Sequence, residues 1–86
     1  MSLYVAEIDT TATAAEPNAV TGALAKIEAA AAAKGGEFIE SQVTADHARI
    51  FAVIEHDNLL ELRSDLDAAG LKVDELALVR LVGAEL

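Results

Sequence analysis

A few acidic side chains and two histidines are the residues of this chain that could do chemistry. Asp9 and His56 each stand where an apolar, strand-like run ends. A carboxylate and an imidazole can together bind a divalent metal ion, and a histidine beside a carboxylate can act as a general base. The alternative is that His56 is an exposed turn residue and Asp57 a helix cap. Asp9 and His56 are therefore the candidate metal ligands, with the structural alternative left open.

Several other chemistries are absent from the sequence. The chain has no cysteine, which excludes disulfides, thiolate nucleophiles and iron–sulfur clusters. No glycine-rich phosphate loop follows a strand, and no Gly-x-Ser-x-Gly motif occurs. The six Lys and Arg residues are scattered and the formal net charge is −9, so we expect neither nucleic acid nor membrane as a partner. Apart from a divalent metal, no cofactor is evident.

The length and composition indicate one folded domain over residues 1–86. Hydrophobic residues make up 53% of the 86 residues, which favours a globular core over disorder. The first residues contain neither a basic region nor a long apolar run, so no signal peptide is expected and a cytoplasmic location is predicted. The bias towards Ala, Val, Leu, Asp and Glu fits a bacterial protein.

Hydrophobic periodicity predicts six elements in the order β-α-β-β-α-β. We expect strands over residues 3–9, 37–44, 49–55 and 76–82, a first helix over 17–34, and a second helix capped by Asp57 and ended by Gly70. Two right-handed crossovers then give a ferredoxin-like α+β sandwich, an antiparallel four-stranded sheet with both helices on one face.

The other face of this sheet is also apolar. Val5, Phe51 and Val53 alternate with the residues expected in the core. Such a face exceeds the patch of about 300–600 Å² that a monomer usually exposes. The sequence therefore predicts a homodimer that buries this face under two-fold symmetry.

Charged residues interrupt the apolar face: Glu7 and Glu55, with Arg49 nearer the start of its strand. Glu7 and Glu55 are expected to lie near each other if the first and third strands are parallel neighbours, with Arg80 of the last strand as the cation between them. Glu7, Glu55 and Arg80 are the candidate ligand-binding residues. They form either the polar end of a ligand cavity or a structural ion network at the dimer interface.

Four runs of the sequence carry a family resemblance. Residues 4–9 (YVAEID), 38–44 (FIESQVT), 49–54 (RIFAVI) and 79–80 (VR) resemble a family of small, uncharacterised ferredoxin-like bacterial proteins with a dimeric nickel-binding member. Glu7 and Arg80 fall where that family carries a Glu and an Arg, whereas Glu40 replaces its usual His in the second strand. Residues 22–24 (GAL) and 67–71 (DAAGL) look like the ACT regulatory domain, but its Asp-x-Pro-Gly turn is absent.

Three functions remain open at this point. The first is a homodimeric binding module for a small molecule or a metal ion. The second is a cofactor-free monooxygenase or isomerase of the dimeric α+β barrel type, with His56 or Glu7 as the acid or base. The third is a structural or interaction protein that pairs through an edge strand.

Overall fold

The computed structural model describes residues 1–80 and contains four strands and two α-helices. In chain order these are β1 (Ser2–Asp9), α1 (Ala19–Ala32), β2 (Glu37–Val43), β3 (Arg49–His56), α2 (Leu59–Ala68) and β4 (Lys72–Val79). A single 3₁₀ turn, Thr11–Thr13, lies in the loop between β1 and α1. No helix within residues 1–80 is long and apolar enough to cross a membrane.

The strands form one sheet in the order β2-β3-β1-β4, and every neighbouring pair is antiparallel. This confirms the predicted ferredoxin-like α+β fold. In the two central strands, β1 and β3, burial alternates as expected, with every second residue buried beneath the helices. The core comprises Tyr4, Ala6, Ile8, Ile27, Ala30, Ala31, Ile50, Ala52, Ile54, Leu62, Leu66 and Val73.

The opposite side of the sheet, called here the helix-free face, has a half-buried apolar centre. Its central residues come from β1, β3 and β4: Leu3, Val5, Phe51, Val53, Ala77 and Val79. Exposed acidic residues lie on its two edge strands, Glu37 and Glu40 on β2 and Asp74 and Glu75 on β4. The predicted second apolar face is therefore present, with acids along its margins.

The last strand begins earlier than predicted, at Lys72 rather than at residue 76. A β-bulge opposite Glu7 and Ile8 shifts the register, and Val73 (8% exposed) still reaches the core. Charged residues around the bulge interrupt the hydrophobic pattern, so the pattern does not predict the start of this strand. Residues 81–82 of the predicted strand lie outside the described residues.

The helix starts also differ from the predictions. Asp57 was predicted to cap α2, but Asn58 is the cap, and its side chain accepts a hydrogen bond from the Glu61 N–H at 3.1 Å. The helix α1 begins at Ala19 rather than near Pro17, because Asn18 adopts a left-handed conformation with φ of 66°.

Candidate functional site

Glu7 and Glu55 do not lie together, so the predicted carboxylate pair is wrong. Strand β2 runs parallel to β1 after the α1 crossover, and the β2–β3 hairpin then reverses direction, so β3 runs antiparallel to β1. Glu7 pairs with Phe51, while Glu55 pairs with Leu3, four register steps away. The strand rise makes that separation about 13 Å.

Asp9 and His56 are even further apart. Asp9 is paired with Arg49 and His56 with Ser2, at opposite ends of β1. Seven register steps correspond to about 23 Å, so the two residues cannot bind one metal ion within a chain. Within residues 1–80, no group of three or more His, Asp or Glu side chains is arranged to hold a metal. The proposal of an Asp9–His56 metal site is therefore wrong, and metal binding elsewhere stays a prediction.

His56 is a buried residue rather than the exposed turn residue considered above. It is 1% exposed, and its Nδ1 accepts a hydrogen bond from the Asn58 N–H at 3.0 Å. Its Nε2 is buried without a partner among the described residues. The imidazole thus supports the start of α2, and it lines neither of the two cavities described below.

The cation beside Glu7 is Arg49, not Arg80. Arg49 Nη1 donates to Glu7 Oε1 at 2.8 Å and to Asp74 Oδ2 at 2.8 Å. These bonds, led by the one to Asp74, raise the pKa of Arg49 above its ordinary value. Arg80 is exposed at the other end of the sheet, where it lines a smaller cavity with Met1 and Leu78. Whether Glu7, Glu55 or Arg80 binds a ligand stays a prediction.

Asp9 belongs to a second polar group at the end of β1. Its carboxylate accepts the Thr11 N–H at 2.8 Å and lies 3.3 Å from Lys72 Nζ. Hydrogen bonds from the Thr11 hydroxyl and N–H, followed by the charge of Lys72, lower the pKa of Asp9 to about 2 from 3.8. Asp9 therefore stays ionised and orders the loop that follows β1.

Replacing Asp9 by asparagine is expected to remove a pH-dependent part of the stability. A carboxyl with a lowered pKa stabilises the fold above its ordinary pKa of 3.8, and that contribution is lost as the pH falls towards about 2. Asp9→Asn should be less stable than the wild type at neutral pH, and the difference should shrink between about pH 4 and pH 2. Urea denaturation at several pH values measures this difference in the free energy of unfolding. A difference that stays constant down to pH 2 contradicts this account.

A cavity of about 660 Å³ opens beside this polar group. Its walls are the end of β1 with the following loop, the first two turns of α1, and the turn from α2 to β4. The lining residues are Ile8, Asp9, Thr10, Thr11, Ala12, Thr13, Glu16, Ala19, Gly22, Ala23, Lys26, Gly70, Leu71 and Lys72. Of the predicted site residues, only Asp9 lines it.

The cavity exists because one stripe of α1 has small side chains. Ala19, Gly22 and Ala23 form this small-residue stripe. Lys26 continues the same helix face, and the four positions follow the i, i+3, i+4, i+7 spacing. A Cβ built on Gly22 would meet no atom within 4 Å, so the space beside it is open. Residues larger than alanine along this stripe would fill the cavity.

Thr10 holds in place the wall of the cavity that lies opposite α1. It is 7% exposed, and its Oγ1 donates to the His47 carbonyl at 2.6 Å while its N–H donates to the Ala48 carbonyl at 2.8 Å. These bonds join the loop after β1 to the β2–β3 turn, where His47 has a left-handed φ of 60°. The loop is therefore held against the sheet while α1 stands away from it.

Comparison with known proteins supports the fold. No family model matches the sequence, and no curated protein matches it. Among solved structures, the chain is similar to the crystal structure of SCO4226 from Streptomyces coelicolor A3(2), with a TM-score of 0.77 and 15% identity, covering 95% of this chain and 100% of that one. The chain is thus a small α+β protein of the ferredoxin-like fold, shared with this structure. Its resemblance to the nickel-binding and ACT families stays a prediction.

Proposed function

We propose that this chain is a binding module that holds a small organic molecule in the cavity beside Asp9. The cavity itself carries the proposal, since its volume of about 660 Å³ lies within the range of about 300–1,000 Å³ typical of ligand sites. Its lining combines the apolar side chains of Ile8, Ala23 and Leu71 with hydroxyl groups and charges. Apolar contact with a few polar groups is the usual composition of such sites.

A binding role accounts for this geometry better than acid–base catalysis does. The two predicted acid–base residues, His56 and Glu7, do not line the cavity. His56 is buried, and its Nδ1 already accepts the Asn58 N–H, while Glu7 forms an ion pair with Arg49 at 2.8 Å. Neither residue is placed to exchange a proton with a molecule in the cavity.

Filling the cavity from Gly22 tests this proposal. A Cβ at Gly22 meets no atom within 4 Å, so we expect Gly22→Leu to fold with its side chain occupying the cavity. With 1-hexanol as the probe, we expect the wild type to bind with a Kd of about 1 mM. We expect the variant to bind at least about tenfold more weakly, measured by isothermal titration calorimetry.

The matched control is Ala29→Leu. Ala29 is exposed on the same helix but does not line the cavity. This variant should bind 1-hexanol as the wild type does. Equal binding by the wild type and Gly22→Leu, or no binding by the wild type, contradicts the proposal.

We further propose that the module is a homodimer, with a second copy covering the helix-free face. Strands of up to eight residues at about 3.3 Å per residue, four across at about 4.8 Å, cover about 500 Å². The face is therefore smaller than the sequence predicts, within rather than above the range of about 300–600 Å² for an exposed patch. Two copies would bury about 1,000 Å², the size at which specific interfaces begin. An apolar centre with charges at the margin is also the usual anatomy of an interface. Sedimentation velocity on the wild type should show a dimer.

A further inference from the structure

Four ionisable side chains line the cavity, and two of them neutralise each other. Asp9 and Lys72 lie 3.3 Å apart, and Asp9 also accepts the Thr11 N–H at 2.8 Å. Their charges are therefore already compensated. The charged groups left to meet a ligand are those of Glu16 and Lys26.

Glu16 and Lys26 carry opposite charges but do not pair. Neither makes an ion pair within 4.0 Å with any residue among the 80 described. Both line the same cavity. As far as residues 1–80 are concerned, the cavity therefore presents one unpaired carboxylate and one unpaired ammonium group to a ligand.

The two charges stand at opposite ends of the small-residue stripe. Lys26 is seven residues beyond Ala19, which places it about 10 Å further along the axis of α1. Glu16 precedes the helix at its other end. Ala19, Gly22 and Ala23 lie between them and give an apolar floor without large side chains.

We infer that the ligand of this cavity is a small zwitterion whose opposite charges are separated by several carbon atoms. Its anionic group binds Lys26, its protonated amine binds Glu16, and its carbon chain lies along Ala19, Gly22 and Ala23. This inference rests on the proposed binding function and specifies the class of ligand. It distinguishes an extended zwitterion from one with adjacent charges, which could reach only one of the two side chains.

A series of six-carbon probes tests the inference. The probes are 1-hexanol, hexanoate, hexylammonium, 6-aminohexanoate and 2-aminohexanoate, titrated at low salt and followed by calorimetry. Because exposed ion pairs contribute up to about 1 kcal/mol, each charge should improve affinity by about fivefold. 6-Aminohexanoate should bind most tightly, and 2-aminohexanoate should bind no better than hexanoate.

Two charge-removing variants assign the contacts. Lys26→Gln should remove the advantage of hexanoate over 1-hexanol and leave that of hexylammonium, while Glu16→Gln should do the reverse. Both residues are exposed, so thermal unfolding should show the variants folded like the wild type. A wild type that binds all five probes equally overturns the zwitterion inference but leaves the binding module intact. A wild type that binds none of them overturns both.

Discussion

Replacing Gly36 by alanine is expected to destabilise the protein by about 2–3 kcal/mol, as overpacking of a tight core does. A Cβ at this position would lie 2.6 Å from the Ala31 carbonyl oxygen, 2.6 Å from the Glu55 carbonyl oxygen and 2.8 Å from His56 Cδ2. Two of these atoms are backbone atoms of α1 and β3 and cannot rotate away. The substitution must therefore separate the end of α1 from the sheet, which denaturation by urea would detect.

Gly22→Ala is the matched control for this prediction. It makes the same chemical change in the interior of α1, where no atom lies within 4 Å of the new Cβ. Since alanine favours a helix over glycine, this variant should gain about 0.5–1 kcal/mol. Equal stability of the Gly36→Ala and Gly22→Ala variants would contradict the close approach of α1, β3 and His56.

Replacing Val53 by lysine is expected to convert the proposed dimer into a monomer. Val53 lies at the centre of the helix-free face, between Val5 on β1 and Glu40 on β2. An unpaired ammonium buried in an interface costs several kcal/mol, so the dimer Kd should rise at least about a hundredfold. In the monomer the position is only half-buried, and the lysine head can reach water. Sedimentation equilibrium measures the change.

Ser64→Lys controls for charge alone. Ser64 is exposed on α2, on the other side of the sheet from the helix-free face. The formal net charge is −9, so an added lysine at either position reduces the repulsion between copies and by itself favours association. The helix variant should therefore remain a dimer. A Val53→Lys variant that also remains a dimer contradicts the proposed interface.

The overall fold could be predicted because its signals are local. The short apolar run over residues 50–54, bounded by Arg49 and Glu55, predicts a strand, and Gly35, with a φ of 82°, marks the end of the first helix. The spacing of Ile27 and Ala31, four residues apart in the first helix, predicts that they share a buried face, and both are fully buried. Each of these signals depends on residues next to one another in the chain.

The site depends on relations between distant residues, and there the predicted proximities of Glu7 to Glu55 and of Asp9 to His56 are wrong. The direction of β3 relative to β1 separates Glu7 from Glu55 and Asp9 from His56, and the hairpin at residues 44–48 already implied this direction. The sequence places Arg49 on the face of Glu7, but its ion pair with Glu7 follows only from the antiparallel register of β1 and β3. The cavity is made by the small size of Ala19, Gly22 and Ala23, which a pattern of large hydrophobic residues does not reveal.

The most direct test of the binding module is to locate the 1-hexanol probe by two-dimensional ¹⁵N–¹H NMR during the titration. If the cavity is the site, the amide signals of Thr11, Gly22, Ala23, Lys26 and Gly70 should shift with a common Kd. Signals of the helix-free face, such as those of Phe51 and Val53, should stay in place. Shifts confined to that face, or no shifts at millimolar probe, would contradict the assignment of the cavity as the ligand site.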